Sequence, residues 1–201
     1  MLTQIGAKPE SDFSEPLGML SDCHKRIQYF LRDLVRLADD AMQLDPSQRV
    51  ALERGLRYFR ESGPRHTADE EESLFPRLRA MNDGRLNEAF VKIQELEADH
   101  KRANEFHSVV DAIGVRWLAD GVFTVGEAAR LKAQLQRLSE LYEHHLAVED
   151  AEIFPVAATL LSANDKAALG REMARRRGLS ADIVKAALHP DSTTQRPELS
   201  W

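Results

Sequence analysis

Two short stretches constrain this chain more than anything else in it. Residues 66–76 read HTADEEESLFP and residues 145–155 read HLAVEDAEIFP, so both follow the pattern H-x3-E-x4-F-P. Residues four apart share a helix face, and each copy therefore sets an imidazole beside a carboxylate, His66 with Glu70 and His145 with Glu149. One such pair alone reads as a solvated surface pair. A duplicate that also shares the Phe-Pro ending reads as two halves of one metal site.

The repeat extends upstream. His24, in the run DCHKR, precedes the first copy, and His100, in DHKR, precedes the second. The separations are alike, 42 residues from His24 to His66 and 45 from His100 to His145. That spacing fits two helices joined by a short connection, the second running back past the first. Each half is thus an antiparallel pair carrying two His and one Glu, and two pairs make an up-down four-helix bundle whose six side chains can converge at its centre. The fold class is all-α, with one or two short extra helices at the C-terminal end.

The 201 residues, 43% of them hydrophobic, suffice for one well-buried core. A single Cys excludes an internal disulfide. No basic start followed by an apolar run opens the chain, and no stretch is apolar enough to span a bilayer, so the expectation is a cytoplasmic protein with no membrane partner. The formal charge of −6 argues against a nucleic-acid partner, which would need basic residues to neutralise phosphates. Oligomeric state is unknown from the sequence.

Taken in order, residues 1–16 form an arm without apolar period, 17–162 the bundle, 163–189 a helical extension and 190–201 a flexible tail. Leu20, His24, Ile27, Leu31, Leu34 and Leu37 keep helical spacing in the first helix. Asp45-Pro46-Ser47 marks a stop and restart. Gly63-Pro64 predicts either a kink or bulge just ahead of His66, or a break at Ser62 and a new helix from Pro64. Pro76 bends or ends the helix after the motif. Thr124 with Glu127 forms a capping box for the fourth helix, and Asn164-Asp165 opens a shorter segment ending at Gly178, followed by a weak helix from Ser180 to Leu188.

Four imidazoles and two carboxylates suit first-row metals rather than calcium, which prefers oxygen cages. Six ligands exceed one closed tetrahedral zinc and fit two metals better. If both Glu side chains bridge and one oxo or hydroxo group is shared, each metal is five-coordinate and keeps an open position for a small molecule. The pattern resembles the hemerythrin-like, or HHE cation-binding, family over roughly residues 17–162. That resemblance implies a four-helix bundle around two iron ions, with an iron/manganese pair possible. It puts His24, His66, Glu70, His100, His145 and Glu149 in the ligand positions. Oxygen carriers of the family place a further His where this chain has Asn104, and an Asp at the position of Asp150. The symmetric ligand pattern here is similar to that of repair-of-iron-centres proteins, which are linked to nitrosative and oxidative damage.

Other residues are read more plainly. Gln28 and Asn104, each four residues after an isolated His, are either hydrogen-bond donors around the ligands or amides satisfied by helix ends and water. His107 is a core or channel-lining residue, His144 lies off the ligand face, and His189 is solvated. Glu71 and Glu72 belong to an outward acidic face, Cys23 is a buried thiol, and Arg175 to Arg177 complement a helix C-terminus. The expected function is binding or reduction of a small gaseous or peroxide ligand such as dioxygen, peroxide or nitric oxide, in stress response or iron handling. The alternative is a non-catalytic iron or oxygen storage, delivery or sensing module acting through a protein partner.

Overall fold

The structure, a computed structural model, describes residues 10–40, 43–81 and 83–179. The helix expected from Ser180, the tail from Pro190, His189 and most of the N-terminal arm lie outside the described residues. Within them the chain is all-α, apart from an isolated backbone bridge between Gln43 and Val122. Four long helices form the bundle: α1 (Pro16–Asp40), α2 (Pro46–Asp69), α4 (Asn87–Asp120) and α5 (Val125–Val148). The short α3 (Phe75–Ala80) and α6 (Phe154–Leu160) carry α2 and α5 onward, and α7 (Ala163–Arg176) follows. Around the bundle, α1 packs on α2 and α5, and α4 packs on the same two. Each half is therefore an antiparallel pair, and the halves face one another.

Local chemistry sets the boundaries. The Asp45 carboxylate accepts from the backbone of Ser47 and Gln48 at 2.7 and 2.9 Å while Gln48 accepts from the Asp45 N–H, so α2 starts on a capping box with Pro46 in its first turn. Thr124 with Glu127 does the same for α5, and Ser162 with Asp165 for α7. The helix α4 ends where Gly121 takes φ of 76°, a left-handed conformation that costs a residue with a side chain far more than glycine.

The expected irregularity near Gly63-Pro64 falls elsewhere. The helix α2 runs unbroken through Pro64, and the backbone widens into a π turn at Glu70–Leu74, inside the motif. The second copy widens at the equivalent place, Glu149–Ile153. In each, a Phe N–H reaches back five residues, Phe75 to the carbonyl of Glu70 and Phe154 to that of Glu149. Pro76 neither ends the first chain segment nor stops its winding, since helix continues to Ala80. A proline in an α-helix lacks a donor and clashes with the preceding turn; placed directly after a widened turn, it meets that carbonyl displaced.

Two apolar clusters fill the bundle and leave a polar layer between them. One holds Ile27, Leu56, Phe59, Val110, Trp117 and Leu138; the other holds Leu20, Leu74, Phe75, Ile93, Ile153 and Phe154. Along α1, His24 sits between Leu20 of one cluster and Ile27 of the other; along α4, His100 sits between Leu96 and Ala103. The helix α7 closes the second cluster with Leu169 and Met173. Its Gly170 presses on the segment before α1, where an added Cβ would meet the Phe13 carbonyl oxygen at 2.0 Å.

Candidate metal centre

All six residues singled out by the repeat meet in the polar layer, each at most 5% exposed. His66 and His145 come from the last turns of α2 and α5, Glu70 and Glu149 open the two π turns, and His24 and His100 face them from α1 and α4. The carboxylates span the site. Glu70 Oε1 lies 3.4 Å from His66 Nε2 and 3.9 Å from His24 Nε2, while its Oε2 lies 3.4 Å from His100 Nε2. Glu149 Oε2 lies 3.2 Å from His24 Nε2, and its Oε1 lies 3.3 Å from His145 Nε2. Each glutamate thus offers one oxygen to the His24–His66 pair and the other toward the His100–His145 pair.

These separations match a coordination shell. Metal–ligand bonds of about 2.1 Å set neighbouring donors roughly 3.0–3.4 Å apart at angles between square and tetrahedral. Donor atoms of His24, His66, Glu70 and Glu149 lie within 4.8 Å of one another, as do those of His100, His145 and Glu149. Hydrogen bonding does not satisfy them: Nε2 of His24, His66 and His100 and all four oxygens of Glu70 and Glu149 are buried without a partner. At about 1–3 kcal/mol per orphaned group, leaving seven unmet costs as much as the whole net stability of a domain, about 5–15 kcal/mol. A bound cation would relieve that cost, so the donor set fits metal.

The electrostatics agree. Burial opposes charge on His24, but Asp150, Glu149 and Glu70 outweigh it and push the imidazole up to about 12. Burial likewise opposes the rise at His100, which Glu70, Glu149 and Glu71 carry to about 9. Burial would raise Glu70 too, yet His66, His100 and His24 hold it well below the usual carboxylate range. The layer therefore demands positive charge, and protons compete with metal for it.

Outer carboxylates orient the rings. Asp150 Oδ2 lies 3.0 Å from His24 Nδ1 and is itself held by the Ser21 hydroxyl at 2.6 Å. Glu71 Oε1 lies 2.8 Å from His100 Nδ1, and Asp99 Oδ2 lies 3.5 Å from His145 Nδ1. A carboxylate hydrogen-bonded to Nδ1, as Glu71 is to His100, fixes the ring tautomer and raises ligand basicity. The outward placement expected of Glu71 is thus corrected: its side chain is about one-third exposed, and its length lets Oε1 reach His100 Nδ1 from the edge of the site. Glu72 does face outward, meeting Arg176 at 3.2 Å. Gln28 is exposed, whereas Asn104 lines the rim of a small cavity beside the site. That cavity is lined by His66, His100 and His145 together with Phe59, His107 and Tyr142. His107 stacks on Phe59 with centroids 4.4 Å apart, and its Nε2 is 2.9 Å from the Tyr142 hydroxyl. Burial pulls His107 down to about 4, so it is neutral at physiological pH. His144 is exposed, as its spacing predicted.

Sequence reasoning passed over Glu71, Asp99 and Tyr142. For Glu71 a signal was present: the residue after the motif glutamate is acidic in both copies, Glu71 and Asp150. The two reach across the repeat, each meeting the isolated His of the opposite half.

Comparison with known proteins agrees with this geometry. The hemerythrin HHE cation-binding domain matches residues 15–157. The chain belongs to the hemerythrin HHE cation-binding family. An uncharacterised protein of Haemophilus influenzae is 28% identical to it over 167 residues, spanning 82% of this chain and 91% of its own. The match ends before α7, which lies beyond the matched residues. No helix among the described residues is long and apolar enough to cross a membrane.

The extension nevertheless reaches the centre. Arg176 Nη1 donates to Asp69 Oδ1 at 2.9 Å and Arg177 Nη2 meets Asp69 Oδ2 at 2.8 Å, gripping the residue next to Glu70. Arg176 Nη2 also donates to the Ser73 hydroxyl at 2.7 Å, within the first π turn. Both of these guanidinium partners of Asp69 lie beyond the family match.

Proposed function

We propose that this hemerythrin-like protein holds two iron ions between its halves and uses them to bind or reduce a small uncharged oxidant or nitric oxide. The observation that carries the reading is the pair of glutamates, each with unpartnered oxygens directed to both histidine pairs, beside a small cavity. His24 and His66 would serve one ion, His100 and His145 the other, with Glu70 and Glu149 shared. A manganese at one position is compatible with the same donors. Bound there, the pair would supply electrons to a small ligand. The protein's own residues do the rest: Glu71, Asp150 and Asp99 fix the rings, the apolar clusters exclude water, and Tyr142 offers a hydroxyl at the cavity wall. Phe59, Ile27, Ala103 and the neutral His107 around the cavity favour dioxygen, hydrogen peroxide or nitric oxide over a charged substrate. A role in oxidative or nitrosative stress, or in iron handling, follows from that ligand class.

Metal content and visible absorption of the purified protein, before and after exposure to air, test the reading. About two irons per chain with absorption of a bridged ferric pair are expected. One zinc per chain, or no uptake of ferrous iron, would remove the redox role. Consumption of peroxide or nitric oxide beyond the iron present marks an enzyme; reversible binding that stops at stoichiometry marks a carrier or sensor.

A further inference from the structure

All three tyrosines of the chain, Tyr29, Tyr58 and Tyr142, lie in one file of neighbouring rings that ends on His145. The file starts at the surface, where Tyr29 of α1 is 45% exposed. The Tyr29 and Phe30 rings have centroids 5.2 Å apart, and Phe30 stacks across to Tyr58 of α2 at 4.3 Å. Tyr58 meets Phe59 at 5.3 Å, and Phe59 stacks across to His107 of α4 at 4.4 Å. His107 lies 5.8 Å from Tyr142 of α5, whose ring meets that of His145 edge-on at 6.2 Å. No step is longer than an ordinary aromatic pair, and the file crosses all four long helices.

Packing alone asks only for apolar bulk, which Leu or Phe supplies. Tyrosine adds a phenol that yields one electron far more readily than those residues do, provided that a base takes the phenolic proton. Tyr142 has that base, since its hydroxyl donates to Nε2 of the neutral His107 at 2.9 Å. Tyr29, at the surface, has water. The buried Tyr58 hydroxyl donates to the backbone carbonyl of Cys23 at 3.4 Å, which holds a phenolic hydrogen without taking it as a proton. The two ends of the file are thus built to lose an electron and a proton together, and the rings between them to conduct.

We propose that this file carries electrons one at a time from a small reductant at Tyr29 to the metal centre, so that the reductant never enters the cavity. The inference rests on the metal reading above. One electron passes from Tyr142 to the oxidised iron pair while the phenolic proton moves to His107 Nε2, leaving a neutral phenoxyl radical and an imidazolium. The oxidised phenol is acid enough to protonate even a buried imidazole. An electron drawn from Tyr29 through the rings, with the same proton handed back, restores Tyr142. Tyr29 releases its own proton to water and becomes the radical, and a one-electron reductant of the ascorbate class, with a proton from solvent, returns it to phenol. Two passes supply the two electrons that, with two protons from solvent, reduce hydrogen peroxide to two waters.

The test loads the full chain with ferrous iron and adds saturating hydrogen peroxide without a reductant. Organic radicals are followed by electron paramagnetic resonance, and a spin trap is located by peptide mass spectrometry. A radical signal and a trap adduct on Tyr29 are expected. Tyr142→Phe should lose the Tyr29 adduct with iron content unchanged. Phe30→Leu, which breaks the file away from the cavity, should keep the radical and lose the Tyr29 adduct. Circular dichroism follows folding, and Tyr142→Phe carries the test if Phe30→Leu does not fold. An adduct undiminished in either folded variant or in the metal-free chain would overturn this inference alone, as would bound iron and consumed peroxide with no adduct on Tyr29. A chain that takes up no iron would overturn the metal reading and this inference with it.

Discussion

The grip of α7 on Asp69 makes a quantitative demand. Asp69 is 0% exposed, and its carboxylate is held by Arg176 at 2.9 Å and Arg177 at 2.8 Å. Burial nevertheless pushes its carboxyl above the usual value, despite both guanidinium groups. The triad therefore gains little net stability over an apolar filling of the same volume, yet it is costly to break from one side. Losing one charged hydrogen bond costs about 1.5–3 kcal/mol. Removing both arginines, as Arg176→Met with Arg177→Met, leaves a buried charge alone and should cost about 3–5 kcal/mol. Asp69→Leu added to that pair should return most of the loss, because the uncompensated charge goes with it. Equilibrium urea unfolding at matched metal content measures all of these. Metal content should fall in the double-arginine variant, since Asp69 precedes Glu70 and Ser73 lies in the same π turn. A double-arginine variant within 1 kcal/mol of the parent would refute the reasoning and reduce the contact to a surface pair.

Three further outcomes follow from the site. His66→Ala or His145→Ala should each lose most of the bound iron by elemental analysis, and a variant that keeps two irons per chain would sink the ligand assignment. His107, pulled down to about 4 by burial, takes up its proton on unfolding. The unfolded chain thus binds more protons below its ordinary value of about 6.5, so stability falls as pH drops from there toward 4, by about 2 kcal/mol at pH 5. His107→Phe should remove that part of the acid sensitivity in urea titrations, and an unchanged slope would count against it. Tyr142→Phe keeps the ring but deletes the hydroxyl 2.9 Å from His107. Nitric oxide or peroxide binding, followed by stopped-flow absorption, should weaken by about 1 kcal/mol, roughly fivefold, with iron content unchanged; equal binding would leave the hydroxyl a purely structural role.

The half-sites were legible because spacing of four on a helix survives almost any detail of packing. His66 with Glu70 and His145 with Glu149 needed only that the backbone stay helical, and the upstream histidines needed only that two helices turn back on themselves. Glu71 was not legible by the same rule, since α-helical winding sends residue 71 about 100° away from residue 70. Its side chain, about one-third exposed, reaches His100 Nδ1 from the edge of the site by its length, and helical periodicity carries no mark of the wider turn beside it. The mark lay in the Phe-Pro pair that closes both copies, read from the sequence as a bend or an end of helix. Proline at that point is tolerated because the turn ahead of it is wide. The last two residues of the motif therefore offer no ligand atom, yet they belong to the motif as firmly as its ligands: they go with the widened backbone turn that opens on the glutamate in both copies.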